Sequence, residues 1–176
     1  MLLLILLVLP LVGALVVGPM KGNPRGAKVT AMVFALASLV LTAIAWLAYS
    51  PSMVQSGSRF QLEMSVPWIP AFGTDFALGI DGIALVMLAL IAVLMPIVMG
   101  FSWNQEIPEG RTESGFFALL LTTQGLLVGV FAATDVFLFY VFFEAMLIPM
   151  YFLIGRFGGP RRQYAAVKFF LYSLLG

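Results

Sequence analysis

The stretch VFLFYVFFEAMLIPMYFLIG, residues 136 to 155, carries a single charged side chain, Glu144. About twenty mostly apolar residues, at 1.5 Å each in a helix, reach across the hydrocarbon core of a bilayer. The stretch predicts a membrane-crossing helix, Val136 to Gly155, with Glu144 near the midplane at about 15 Å from either surface. An ionised carboxylate there costs at least about 2.5 kcal/mol, so such residues are rare and usually functional. Two states are open to it: protonated and neutral, or ionised beside a cation or water. A group poised between them suits a proton relay. The structural alternative is a carboxyl group that bonds a neighbouring hydroxyl or backbone group and holds helices together.

Composition extends this reading to the whole chain. Of 176 residues, 62% are hydrophobic and 10% charged, whereas a soluble domain carries about 25% charged residues. The chain has no Cys and no His, which excludes disulfides, thiolate metal sites and the commonest general base. A net charge of +1 argues against a nucleic-acid partner. Any chemistry rests on carboxylates, lysines and water.

Outward from residues 136 to 155, the pattern predicts an all-α membrane protein of about six helices. Leu2 to Gly18 forms the first. A signal peptide would need a basic segment before it, yet Lys21, Arg25 and Lys28 follow it. Val29 to Tyr49, Ile83 to Phe101 and Gly115 to Ala133 are the next three helices, and Tyr164 opens the sixth. Only Ala133, Thr134 and Asp135 join the fourth and fifth, so these form a tight antiparallel pair. Ser50 to Thr74 is a loop punctuated by Pro51, Gly57, Pro67 and Pro70. Alternation within Arg59 to Trp68 allows a short hairpin there. The third helix follows Asp75 and a turn at Gly79-Ile80-Asp81-Gly82. The sixth helix reaches the end of the chain before it could span a bilayer, and the chain reads as the front part of a longer protein.

Orientation follows the distribution of Lys and Arg. With the N-terminus outside, the inner side holds Lys21, Arg25, Lys28, Arg111, Arg156, Arg161 and Arg162, and the outer loop holds Arg59. Glu106, Glu109 and Glu113 share the inner side, but acidic residues count little in this rule.

Few other residues are candidates for chemistry. Pro149 lacks an N–H, which frees the carbonyl of Ala145 beside Glu144 for a water or a local bend; proline is also an ordinary residue of membrane helices. Lys168, about 7–8 Å into the sixth helix, is a candidate for proton uptake from the inner side or a side chain that snorkels to the headgroups. Its depth differs from that of Glu144 by about 9 Å, a gap for a water chain rather than a direct ion pair. Gln124, Thr122 and Thr123 in the fourth helix are partners for Glu144 or water, or simply join helices. Asp135 and Asp81 read as helix caps. Gly158-Gly159-Pro160 is a turn without the Lys-Ser/Thr ending of a phosphate loop.

YVFFEAMLIPMYFLIGRFGGPRRQYAAVKFFLYSLLG, residues 140 to 176, resembles the subunit M family of bacterial NADH-quinone oxidoreductase, respiratory complex I. FALGIDGIALVML (76 to 88) and GVFAATDVFLFYVFFEAMLIPM (129 to 150) add to the likeness. The resemblance implies about fourteen helices with two inverted five-helix repeats, each containing a broken helix. Residues 1 to 113 would then be three N-terminal helices with an outer loop at 50 to 75, and residues 114 to 176 the start of the first repeat. It also implies that Glu144 matches the first-repeat glutamate and that Lys168 matches a lysine early in the sixth helix. The partner lysine of that glutamate lies on a seventh helix outside this chain. Many relatives carry a second glutamate in the fourth helix, where this sequence has Gln124.

The resemblance implies a proton-translocating subunit of the bacterial inner membrane, assembled with other membrane subunits of complex I. NAD, flavin and iron–sulfur clusters belong to partner subunits, with no cofactor in this chain. Two other readings stand beside it: a subunit of a multisubunit sodium/proton antiporter, and a membrane fragment that neither pumps nor gates.

Overall fold

The computed structural model describes residues 1–50, 60–69, 73–105, 107–108 and 110–175. The expectations placed on Pro51, Gly57, Arg59, Pro70, Glu106 and Glu109 lie outside these residues. Six helices are described: α1 (Leu2–Val17), α2 (Pro24–Ala48), α3 (Gly82–Phe101), α4 (Glu113–Ala132), α5 (Val136–Phe157) and α6 (Arg162–Leu175). A 3-10 turn, Ser102–Asn104, follows α3, and the strands β1 (Gln61–Ile69) and β2 (Thr74–Ile80) join α2 to α3. Helices α2, α4 and α5, and α3 with its 3-10 turn, are long and apolar enough to cross a membrane. Helix α1 is equally apolar but has 16 residues, about 24 Å.

Polar side chains set where the helices begin. Asn23 caps α2 by accepting from the Gly26 N–H at 2.9 Å, with Pro24 in the first turn. This start lies ahead of the expected Val29, because the cap and the proline outweigh the charges of Arg25 and Lys28. Thr112 caps α4 from the Gly115 N–H at 3.2 Å. Asp81 and Asp135 cap α3 and α5, accepting from Ala84 at 2.7 Å and Leu138 at 2.9 Å. Both aspartates therefore take the capping role that the sequence indicated.

The expected turn before α3 is corrected. Asp75, Gly79 and Ile80 belong to β2, which pairs antiparallel with β1 through Val66–Phe76 and Met64–Leu78. The hairpin is longer than the alternation in residues 59 to 68 suggested. Tertiary support explains the difference: Leu78 and Ile80 are buried in the core, and the Thr134 N–H donates to the Ala77 carbonyl at 3.0 Å. The hairpin thus closes over the outer end of the α4–α5 connection. Trp68 meets Phe137 there, with ring centroids 5.9 Å apart.

Helix α4 is the centre of the bundle, packed against α1, α2, α3 and α5. Two apolar clusters fill the interior. The outer one joins Leu3 and Leu6 of α1 to Leu85 and Leu88 of α3, Val128 of α4 and Leu138 of α5. The inner one joins Ala27, Ala31 and Ala35 of α2 to Val17, Met99, Phe117 and Leu121. Small residues let the helices approach closely. A Cβ at Gly125 would come within 3.1 Å of the Leu7 carbonyl oxygen, and one at Gly129 within 2.5 Å of the Phe142 ring. At the inner surface, Lys28 Nζ pairs with Glu113 at 2.9 Å and donates to the Trp103 carbonyl at 2.6 Å. That contact ties the starts of α2 and α4 to the end of α3.

Candidate functional site in the middle of the membrane

Glu144 lies on α5 about eight residues from its outer end and about thirteen from its inner end, roughly 12 and 20 Å. The sequence placed it midway. Glu144 is only eight residues after Val136, and helix α5 continues past Gly155 through Arg156 and Phe157, so the carboxylate lies nearer the outer surface. Glu144 is partly buried. No hydrogen bond or ion pair joins it to another described residue.

Helical spacing sets its direction. Glu144 is seven residues, two turns, before Tyr151 and shares its stripe. Tyr151 packs on Phe170 of α6, with ring centroids 5.9 Å apart. Glu144 therefore belongs to the stripe of α5 that faces α6. Because α5 and α6 run antiparallel, it stands level with the last described turn of α6 near Leu174. Phe142, on a different stripe, presses against Gly129 and joins α5 to α4. Pro149 is buried within α5, which runs unbroken from Val136 to Phe157.

The structure separates the other candidates from Glu144. Lys168 is exposed on the far side of α6, between Tyr164 and Tyr172, with its Nζ 6.0 and 5.7 Å from their ring centroids. The face of α6 that meets α5 is instead Ala166 and Phe170. Lys168 is also about 10 Å closer to the inner surface than Glu144. Thr122 and Thr123 donate to the carbonyls of Ala118 and Leu119 in their own helix, each at 2.9 Å, rather than to Glu144.

Gln124 is buried, at 1% exposure, and its Oε1 has no hydrogen-bond partner among the described residues. It shares a stripe of α4 with Leu121 and Val128, which belong to the inner and outer clusters. Ser38 and Thr42 of α2 are also buried and donate to carbonyls of their own helix. The sequence pointed to Gln124 but not to these two, because Ser38 and Thr42 are ordinary residues within an apolar run. The Lys28–Glu113 contact was also missed. Its signal was two opposite charges, one just inside each of two helix starts on the same membrane side.

Among the described residues, no group of three or more carboxylates could hold a metal ion. Among the described residues, the arrangement offers one carboxylate within the span of α5, on the side of α6, and a separate amide buried among the N-terminal helices.

Residues 133–176 match the family described as NADH:quinone oxidoreductase/Mrp antiporter, transmembrane. The NADH-quinone oxidoreductase subunit M of Mycobacterium tuberculosis is 38% identical over 200 aligned positions, covering 98% of this chain and 35% of that protein. The chain spans about a third of the length of the curated relatives it matches. A chain of respiratory complex I from Thermus thermophilus matches with a TM-score of 0.79 at 28% identity, over 99% of this chain and 33% of that one. A chain of the Mrp complex from a Dietzia species shares the fold, with a TM-score of 0.77 at 20% identity over 98% of this chain and 18% of that one.

Proposed function

We propose, from the premise that the chain belongs to the subunit M family of NADH-quinone oxidoreductases, that it contributes Glu144 to proton transfer across the bacterial inner membrane. The single observation that supports this is a carboxylate deep in a membrane helix, on the stripe that faces its neighbour α6 and without a partner among the described residues. Nothing in the apolar packing of α5 requires a charge there.

The chemistry follows from low dielectric. An ionised Glu144 is stable when a cation or water compensates it, and it takes up a proton when the compensation is withdrawn. Motion of a cation towards and away from the carboxylate therefore converts a conformational change into proton binding and release. The family resemblance supplies such a cation as a lysine on a later helix. Lys168 does not fill that role, because it faces the opposite side of α6. The oxidation of NADH and the reduction of quinone would take place in partner subunits, with their cofactors.

A sodium/proton antiporter subunit is the second reading, favoured by the shared fold of the Mrp chain. Membrane vesicles containing the complete subunit in its complex separate the two. Acid uptake driven by NADH and independent of sodium supports the proposal. Sodium-dependent proton exchange that needs no NADH oxidation supports the antiporter.

A further inference from the structure

At the inner membrane surface, a groove of about 410 Å³ opens between α5, α6 and the segment that leads into α4. Arg111, Arg156 and Gln163 form its mouth, and Tyr151, Gly155 and Val167 its wall. The Arg156 guanidinium lies over the Phe152 ring, 5.5 Å from its centroid, which keeps the charge at the rim. Tyr151 and Val167 also line a second hollow of about 270 Å³ with Phe170 and Leu171. The two share these residues, and together their linings extend from a cationic mouth to an apolar floor about 12 Å deeper along α6. At Gln163 the mouth adjoins a third hollow, walled by Arg161 and Arg162. Among the described residues, no carboxylate lines any of the three.

This polarity is that of a phospholipid standing in the inner leaflet. Basic pockets between membrane helices on the inner side suit anionic headgroups, and a soluble anion would have no use for the apolar floor. We propose that the groove binds one anionic phospholipid. Its phosphate lies between Arg111 and Arg156, and an acyl chain follows Tyr151, Val167 and Phe170. A lipid with two phosphates binds best, because the second reaches Arg161 and Arg162.

Native mass spectrometry of the complete subunit, released from micelles containing phosphatidylcholine and diphosphatidylglycerol, tests this. One diphosphatidylglycerol should be retained and phosphatidylcholine lost. The double variant Arg111→Gln/Arg156→Gln should weaken retention by about 25-fold, at roughly fivefold for each basic residue. Val167→Trp, which fills the apolar floor and leaves every charge, should also release the lipid. Arg25→Gln, elsewhere on the inner surface, should change nothing. Four results would each overturn the proposal: no lipid on the wild-type subunit, equal retention of phosphatidylcholine, indifference to Val167→Trp, or displacement by inorganic phosphate.

Discussion

Gln124 of α4 and Glu144 of α5 lie at the same depth, each about eight residues from the short connection between their helices. They face different neighbours. Glu144 shares the stripe of Tyr151 towards α6, and Gln124 shares the stripe of Leu121 and Val128 towards the N-terminal helices. The two polar groups at this level therefore belong to separate parts of the bundle.

An unpartnered buried acceptor costs about 1–3 kcal/mol. Gln124→Leu removes that acceptor from an apolar interior. The variant should unfold at a higher temperature in detergent and pump normally once assembled. A lower unfolding temperature would mean that an ordered water satisfies Gln124 and belongs to the fold.

The contact of Gly129 with Phe142 sets how closely α4 and α5 approach. Gly129→Val places new atoms against the inner part of the ring, which cannot swing aside without moving the helix. Overpacking of this kind costs about 1–3 kcal/mol. Thermal unfolding should show the loss, and the second-site change Phe142→Ala should recover part of it.

Lys28 and Glu113 are 12% and 29% exposed at their side chains, so solvent screens their attraction only in part. Each single change, Lys28→Met or Glu113→Gln, should destabilise the bundle. Because the two share one contact, a double-mutant cycle should return a coupling of about 0.5–2 kcal/mol. A coupling near zero would show that the Trp103 carbonyl alone holds Lys28.

Lys168 is held on the outward face of α6 by Tyr164 and Tyr172. Lys168→Met should leave assembly and proton pumping near wild type. Loss of pumping in a correctly assembled complex would place Lys168 on the proton path despite its direction.

The helices, their order and the central carboxylate were legible in the sequence because the bilayer imposes length and apolarity on each span. The capping roles of Asp81 and Asp135 were legible too, since caps act within one turn. Other features were not. The second strand of the hairpin, residues 74 to 80, depends on burial of Leu78 and Ile80 against distant helices. The depth of Glu144 differs from midway because the residue stands only eight positions after Val136, and α5 runs on past Gly155 through Arg156 at the other end. The direction of Lys168 was hidden because it follows from which residues of α6 meet α5, a tertiary fact. Composition cannot tell Ala166 and Phe170 from the outward face.

The proposed role of the Glu144 charge in proton transfer is tested by the number of protons moved per NADH oxidised. Vesicles carrying the assembled complex with Glu144→Gln in the complete subunit should contain the protein at normal levels. These vesicles should acidify poorly and turn over NADH slowly, with Glu144→Asp recovering part of both. Wild-type proton movement per NADH by the Glu144→Gln complex would contradict that role.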